Sequence, residues 1–379
     1  MILKRLLNLM VLAAIFTLAA CENDDDAVPA VEVPETYEFT RDGASTVSFQ
    51  GQIDRLNMVA EMKTEVTKGD AGETVSSTTL LNMFANENDP FSSEALNNST
   101  KQLENKTFIA DVQWFKDLFA SAEGASKLGT DAAPGQAGRI ERGNTGKFVL
   151  VNGKGWEYTQ FIEKGLMGAV FYHQIYNTYM TDDRVGDDVE NDALVDGKNY
   201  TPMEHHWDEA FGYWGVPVDF PQGDPVLTAE EDRFWAKYTN GRDDLLGVNK
   251  TLMDAYKTGR AAIVAKQYDV KDVNREIIYA THELVAAATA VHYINDAMAD
   301  FNANDQGNLF HHLSEAYIFV KALQYSPKKV ISQGDIDAIL DTDFGTDGDF
   351  WTVTFEGLQN AKDRIVTAYP ALDSVQDQL

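Results

Sequence analysis

Thr201-Pro202-Met203-Glu204-His205-His206-Trp207-Asp208-Glu209-Ala210-Phe211-Gly212-Tyr213-Trp214-Gly215 is the stretch on which the reading of this chain turns. Threonine is a good N-cap. Proline is preorganised for the first helical turn, where its missing N–H costs nothing. Gly215 and then Pro217 stop the run. The stretch therefore predicts a helix over 203–214. Working outward, apolar side chains recur at helical spacing along most of the chain. Over 156–180, Phe161, Leu166, Ala169, Val170, His173, Asn177 and Met180 share one face. Further helices are predicted over 52–66, 76–84, 101–122, 248–267, 270–301, 309–323, 334–340 and 355–368. Thr228-x-x-Glu231 reads as a capping box that opens another. Residues 123–155 are Gly-rich and polar and read as a long connection. Tyr37-Glu38-Phe39 and Ser45 to Phe49 are short extended segments around a Gly43 turn, a small hairpin cap. With no run of alternating strands, the fold class is all-α: a multi-helix bundle.

The N-terminus reads as an export signal. Lys4 and Arg5 precede an apolar run from Leu6 to Ala20, too short for a spanning helix of ~20 residues. The run ends Leu18-Ala19-Ala20-Cys21, the pattern of a lipidated cysteine. Residues 1–20 are then a signal peptide, Cys21 carries the lipid that ties the chain to a membrane, and 21–36 form an acidic tether through Glu22-Asn23-Asp24-Asp25-Asp26. That acidic run resembles the surface-export signal of Bacteroidota lipoproteins, which places the chain at the outer membrane, facing the periplasm or the surface. Cys21 is the single cysteine, so it has no intrachain disulfide partner and no cysteine-based metal or redox site exists. Sixty acidic against 31 basic residues give a formal charge of -29, which repels a phosphate backbone and argues against nucleic acid.

One pattern occurs twice. His205-His206-Trp207-Asp208-Glu209-Ala210-Phe211 matches His311-His312-Leu313-Ser314-Glu315-Ala316-Tyr317, both reading His-His-x-x-Glu-Ala-aromatic. Each copy follows a long helix carrying a histidine, His173 before the first and His292 before the second. This points to two related helical lobes, 37–245 and 246–379. Residues three and four apart on a helix are neighbours, so Glu209 sits beside His205 and His206, and Glu315 beside His311 and His312. Imidazole nitrogen with carboxylate oxygen is a competent donor set for iron, zinc or another metal. The same pattern also arises from a plain ion pair in a first helical turn. His173 and His292 equally suit hydrogen-bonded core positions.

Other chemistry is absent. His282-Glu283 is not followed by the second histidine of a zinc-protease helix. The Glu-x-x-His pair of di-iron bundles is missing. Asp341, Asp343, Asp347 and Asp349 depart from a calcium loop at Thr346 and Thr352 and read as an acidic turn.

Four segments carry a family resemblance: Tyr37-Glu-Phe-x-Arg-x-Gly, Gly51-Gln-x-x-Arg-Leu, Glu163-Lys-Gly-Leu-Met-Gly-Ala, and the run from Thr201 to Gly215. Together they resemble the domain of unknown function 4856 family of Bacteroidota lipoproteins over nearly the whole mature chain. That family has no established activity. A more distant similarity is to imelysin-like proteins, two-lobed helical bundles with a His-x-x-Glu motif that have been linked to iron uptake and were once classed as peptidases. Carried over, that motif falls on His206 and Glu209. The glycine usual two places before the histidine is here Glu204.

The expectation that follows is an envelope binding lipoprotein for iron or another divalent or trivalent metal, or a metal complex, acting in uptake. His206 and Glu209 would ligate directly. Glu204, His205 and Asp208 would support or substitute for them, and His173 or His292 would complete the set. His312 and Glu315 are the corresponding ligands of the second copy. Two other readings are open. One is a structural or accessory module of an outer-membrane receptor, docking through the aromatic-rich helix at 207–214. The other is a metal-dependent peptidase with Glu209 as general base, for which the usual three protein ligands of a catalytic zinc are not evident.

Overall fold

In chain order, the computed structural model shows a hairpin β1 (Thr40–Arg41) and β2 (Ala44–Ser45), then α1 (Gln50–Thr67), α2 (Ser77–Ala85), α3 (Glu94–Asn97) and α4 (Val112–Ser126). A second hairpin follows, β3 (Gly138–Arg142) with β4 (Lys147–Val151). The remaining helices are α5 (Tyr158–Leu166), α6 (Asp182–Val185), α7 (Pro202–Trp214), α8 (Phe234–Leu246), α9 (Val248–Val264), α10 (Tyr268–Ala303), α11 (Gln306–Ala322), α12 (Gln333–Ala338) and α13 (Phe355–Ala368). The structure describes residues 30–379. The signal peptide, Cys21 and most of the acidic tether lie outside the described residues. Two short antiparallel pairs are the only sheets among them, so the expected all-α class holds.

α10, 36 residues long, is the spine. It packs against α9, α11, α13 and α8. Its middle is built of small side chains: Ala286, Ala287, Ala288, Ala290 and Ala297 are fully buried, which lets neighbouring helices approach closely. The segments expected as separate lobes share one hydrophobic cluster that runs from Tyr37 to Leu379. α5 makes the join, because it packs against α1 on one side and α11 on the other.

α7 begins as expected. The Thr201 hydroxyl accepts from the Glu204 N–H, Glu204 closes the capping box, and Gly215 ends the helix in the left-handed region. The helix predicted over 156–180 does run on from α5, but through two wide turns, Met167–Tyr172 and Ile175–Tyr179. Widened turns free carbonyls, and these find donors elsewhere. The Trp235 indole donates to the Met167 carbonyl at 3.0 Å, the Phe108 N–H to Ala169 at 2.8 Å, and the Tyr279 hydroxyl to Tyr176 and Met180, both at 2.9 Å.

Three expectations change. The helix predicted from residue 101 starts only at Val112, after two single turns. The connection at 123–155 contains β3 and β4 rather than loop throughout. Only half of the capping box at Thr228 and Glu231 forms: the Glu231 carboxylate accepts from the Thr228 N–H at 2.9 Å and from its hydroxyl at 2.7 Å, but the Glu231 N–H donates to the Thr228 carbonyl, so the pair closes a turn, and α8 begins at Phe234.

Candidate metal centre

The first copy of the repeated pattern lies on α7, the second on α11, and each helix leans on another that carries glutamine and a cation. α7 packs against α1, with Gln52 and Arg55; α11 packs against α5, with Gln160 and Lys164. The two copies do not share a cleft. Their side-chain partners form two separate sets, one for each helix pair.

In the first copy, most of the expected ligands are already committed. Glu204 pairs with Arg41 at 2.8 Å and Arg260 at 3.1 Å while it also caps α7. Asp208 accepts from Tyr37 at 2.8 Å, from Arg260 Nε at 3.0 Å and from the Ser48 N–H at 3.3 Å. Burial pushes Asp208 up to about 6 even with Arg260 against it. Arg260 is fully buried and also reaches Thr46. This network bolts the N-terminal hairpin onto α7 and α9. Glu204 and Asp208 are thus both engaged by protein donors. Glu209 accepts from Gln52 at 3.1 Å and meets His206 Nδ1 at 3.2 Å and His205 Nε2 at 3.8 Å. His205 stacks on Tyr200, with centroids 4.4 Å apart.

The two histidines expected to complete the set stand elsewhere. His173 packs on Phe108 and takes Asn177 at 3.3 Å; burial holds its imidazole below the usual range. His292 pairs with Asp296 at 3.5 Å on the outer part of α10, and burial, then Arg242, lowers it as well.

The second copy converges. Among the described residues, His311, His312 and Glu315 are the one group of three His, Cys, Asp or Glu side chains whose ligand atoms all lie within 4.8 Å of one another. His311 Nδ1 lies 2.6 Å from Glu157 Oε2, and His312 Nδ1 lies 2.6 Å from Asp300 Oδ2. An ionised carboxylate only accepts, so each Nδ1 carries the proton. In the neutral ring the lone pair is then left on Nε2. His311 Nε2 is 3.4 Å from Glu315 Oε2. The other oxygen of Glu315 is held by Lys164 at 3.2 Å.

The supports of this group are themselves fixed. The Glu157 N–H donates to Ser314 Oγ at 2.9 Å, and Gln160 donates to Glu157 Oε1 at 2.9 Å. Ser314 stands where the first copy has Asp208, so the same helix position anchors a neighbour in both. Lys164 is buried between Glu163 and Glu315. Burial alone would lower its ammonium, but Glu163 and Glu315 hold it well above the usual value. Burial raises Glu315, and Lys164, His311 and His312 outweigh it, so the carboxylate stays ionised. His312 is held above the usual imidazole range because the Asp300 bond outweighs burial. Asp70, behind Glu157, is pushed up to about 7 by burial and then by that carboxylate. The carboxylates of Glu157, Glu163, Asp300 and Glu315 have two ammonium groups within ion-pairing distance, Lys63 and Lys164.

The family profile described as Domain of unknown function (DUF4856) matches residues 34–371. The chain belongs to that family. No curated protein and no solved structure matches it. Besides the run from Thr201 to Gly215, which holds the first copy itself, two of the segments that carried the resemblance hold residues of these sites: Gln52 and Arg55 beside the first copy, Glu163 and Lys164 beside the second. Glu157 and Asp300 had no motif of their own, because they reach the histidines from other helices.

Proposed function

We propose that this member of the DUF4856 family is a cell-envelope lipoprotein that binds a divalent transition metal of the iron or zinc class at His311, His312 and Glu315 and serves in its uptake. One observation carries the reading: each histidine gives its Nδ1 proton to a carboxylate, which leaves the Nε2 lone pair free, and His311 Nε2 lies beside Glu315. A histidine that ligates a metal almost always hands its other ring proton to such a partner, which sets the tautomer and raises ligand basicity. Two imidazoles and one carboxylate suit iron(II) or zinc. The surplus of carboxylate over ammonium in the cluster favours a cation. Lys164 orients Glu315 and leaves one oxygen to the centre. Lipid attachment at Cys21 and an outer-membrane location belong to the same proposal and rest on the N-terminal sequence.

The test is calorimetry with zinc and with iron(II), backed by elemental analysis, on the chain expressed from Glu22, which retains every described residue. Stoichiometric binding lost in His312→Ala and in Glu315→Gln, and kept in His206→Ala, is the expected result. No binding of either metal at micromolar concentration refutes the proposal, as does binding that survives both substitutions.

A further inference from the structure

The first copy of the pattern sits in the opposite electrostatic setting. Four cations gather around Glu209. Arg55 is buried and donates to two carbonyls, Gln102 O at 2.9 Å and Gly51 O at 3.2 Å, with the Tyr213 hydroxyl beside its guanidinium. The stem of Lys101 lies across Gly51, with its Cε 2.7 Å from where a β-carbon there would stand. Lys106 reaches the Tyr179 hydroxyl at 3.4 Å. Arg184 reaches His206 Nε2 at 3.4 Å, and the His206 ring lies beside Tyr179 at 6.3 Å. Among the described residues, none of these four has a carboxylate within ion-pairing distance, 4.0 Å. That is notable in a chain with twice as many acids as bases. Of the acidic residues nearby in sequence, Asp54 is engaged with Gln50 and Ser99 and Asp182 with Arg275, while Asp183 is exposed. Glu209, the one carboxylate in the ring, is already satisfied by Gln52 and His206.

The cations also feel one another. Burial, then Arg55, with smaller contributions from Arg184 and Lys101, lowers the Lys106 ammonium against the pull of Glu209. Such mutual repulsion is costly unless something negative relieves it. The Tyr213 hydroxyl lies among the same groups. It is fully buried, lies against the Arg55 guanidinium, and is close enough to Glu209 to be influenced by its charge. The ring is open to solvent: Arg184 is exposed, and His205 and His206 retain 27% and 18% of their side-chain surface.

We propose that the ring formed by Arg55, Lys101, Lys106, Arg184, His206 and Tyr213 binds a small anion bearing phosphate or carboxylate groups. Guanidinium and ammonium donors converging on one point form the usual receptor for such oxyanions. The same four positive charges repel a bare metal ion, so the two copies of the pattern divide the work: cation at α11, anion at α7. This site does not depend on the metal proposal.

Calorimetric titration of the chain from Glu22 with inorganic phosphate, and separately with citrate, tests it. Both probes are run without metal, at low salt and again at high salt. Binding of either probe is expected, weakening as salt rises. A response to phosphate alone assigns a phosphoryl ligand; a response to citrate alone assigns a carboxylate ligand. Lys106→Gln and Arg184→Gln, both solvent-reachable, are each expected to weaken binding about tenfold. His312→Ala is expected to leave it unchanged. Failure of both probes at millimolar concentration overturns the proposal, as does binding equal in the Lys106→Gln/Arg184→Gln double variant, whose folding is checked by its melting curve.

Discussion

Asp300→Asn separates a metal-supporting carboxylate from an ordinary ion pair. Asp300 takes the Nδ1 proton of His312 at 2.6 Å, and both side chains keep some solvent contact. A partly exposed pair is worth no more than about 1 kcal/mol to folding, so the variant should melt close to the parent. The effect on metal should be larger. Removal of a carboxylate that orients a ligating histidine typically costs ten- to a hundredfold in affinity, which is ~1.4–2.7 kcal/mol. The pH dependence gives a second signature. Asp300 holds His312 above the usual imidazole range, so in the parent a proton competes with metal from a higher pH downward. Below that point each pH unit costs about tenfold in affinity for the one proton displaced. Without Asp300 the imidazole loses its proton more readily, and the competition begins lower. The penalty of Asp300→Asn should therefore be full at pH 8 and smaller at pH 6. Zinc calorimetry at both values is the assay. An equal penalty at the two, or none at pH 8, refutes the assignment of Asp300 as the partner of a metal-ligating His312. The metal-free protein shows the linked sign: a raised imidazole stabilises the fold fully below its unfolded value near 6.5, and that contribution fades as pH rises through the folded value.

Three further outcomes are expected. His282 is fully buried, bonded to the Tyr256 hydroxyl at 3.0 Å, and burial pushes its imidazole down to about 3. Its neutral form supports the fold fully above pH 6.5, and about 1.4 kcal/mol is lost per unit as pH falls from there toward 3; denaturant melts should show that slope, and His282→Gln should flatten it. Gly259→Ala places a β-carbon 2.1 Å from Trp207 Cζ2, between α9 and α7, and overpacking there should cost ~1–3 kcal/mol in chemical denaturation. Arg260→Met strips the buried counter-charge from Glu204 and Asp208 and should cost ~3–5 kcal/mol, with the N-terminal hairpin becoming the first site of limited proteolysis.

The interior of this protein shows what repeated short motifs can and cannot convey. The two His-His-x-x-Glu segments are alike in sequence, and on each helix the glutamate does neighbour both histidines, as helical spacing demands. What differs is the company. Around the α11 copy, Glu157 and Asp300 arrive from 154 and 12 residues away. Around the α7 copy, Arg55, Lys101 and Lys106 arrive from an earlier part of the chain. Expectation placed the metal on His206 and Glu209 because the family likeness is densest there; the metal is proposed instead at His311, His312 and Glu315, where folding gathers carboxylates. Glu204 and Asp208 looked like ligands by residue type, but the fully buried Arg260, brought in on α9, claims both.

Local chemistry was legible from residue order. Thr201, Pro202 and Gly215 bound a helix because capping and a fixed proline φ act within a few residues, and α13 spans the predicted 355–368 for the same reason of short-range periodicity. The all-α class and the pairing of each Glu with its histidines are likewise properties of a single helix. The electrostatic setting of each candidate site was decided by tertiary structure. Whether an imidazole and a carboxylate meet a cation or an anion depends on the sum of charges within a few ångströms, and those charges come from helices whose separation in sequence gives no hint that they will touch.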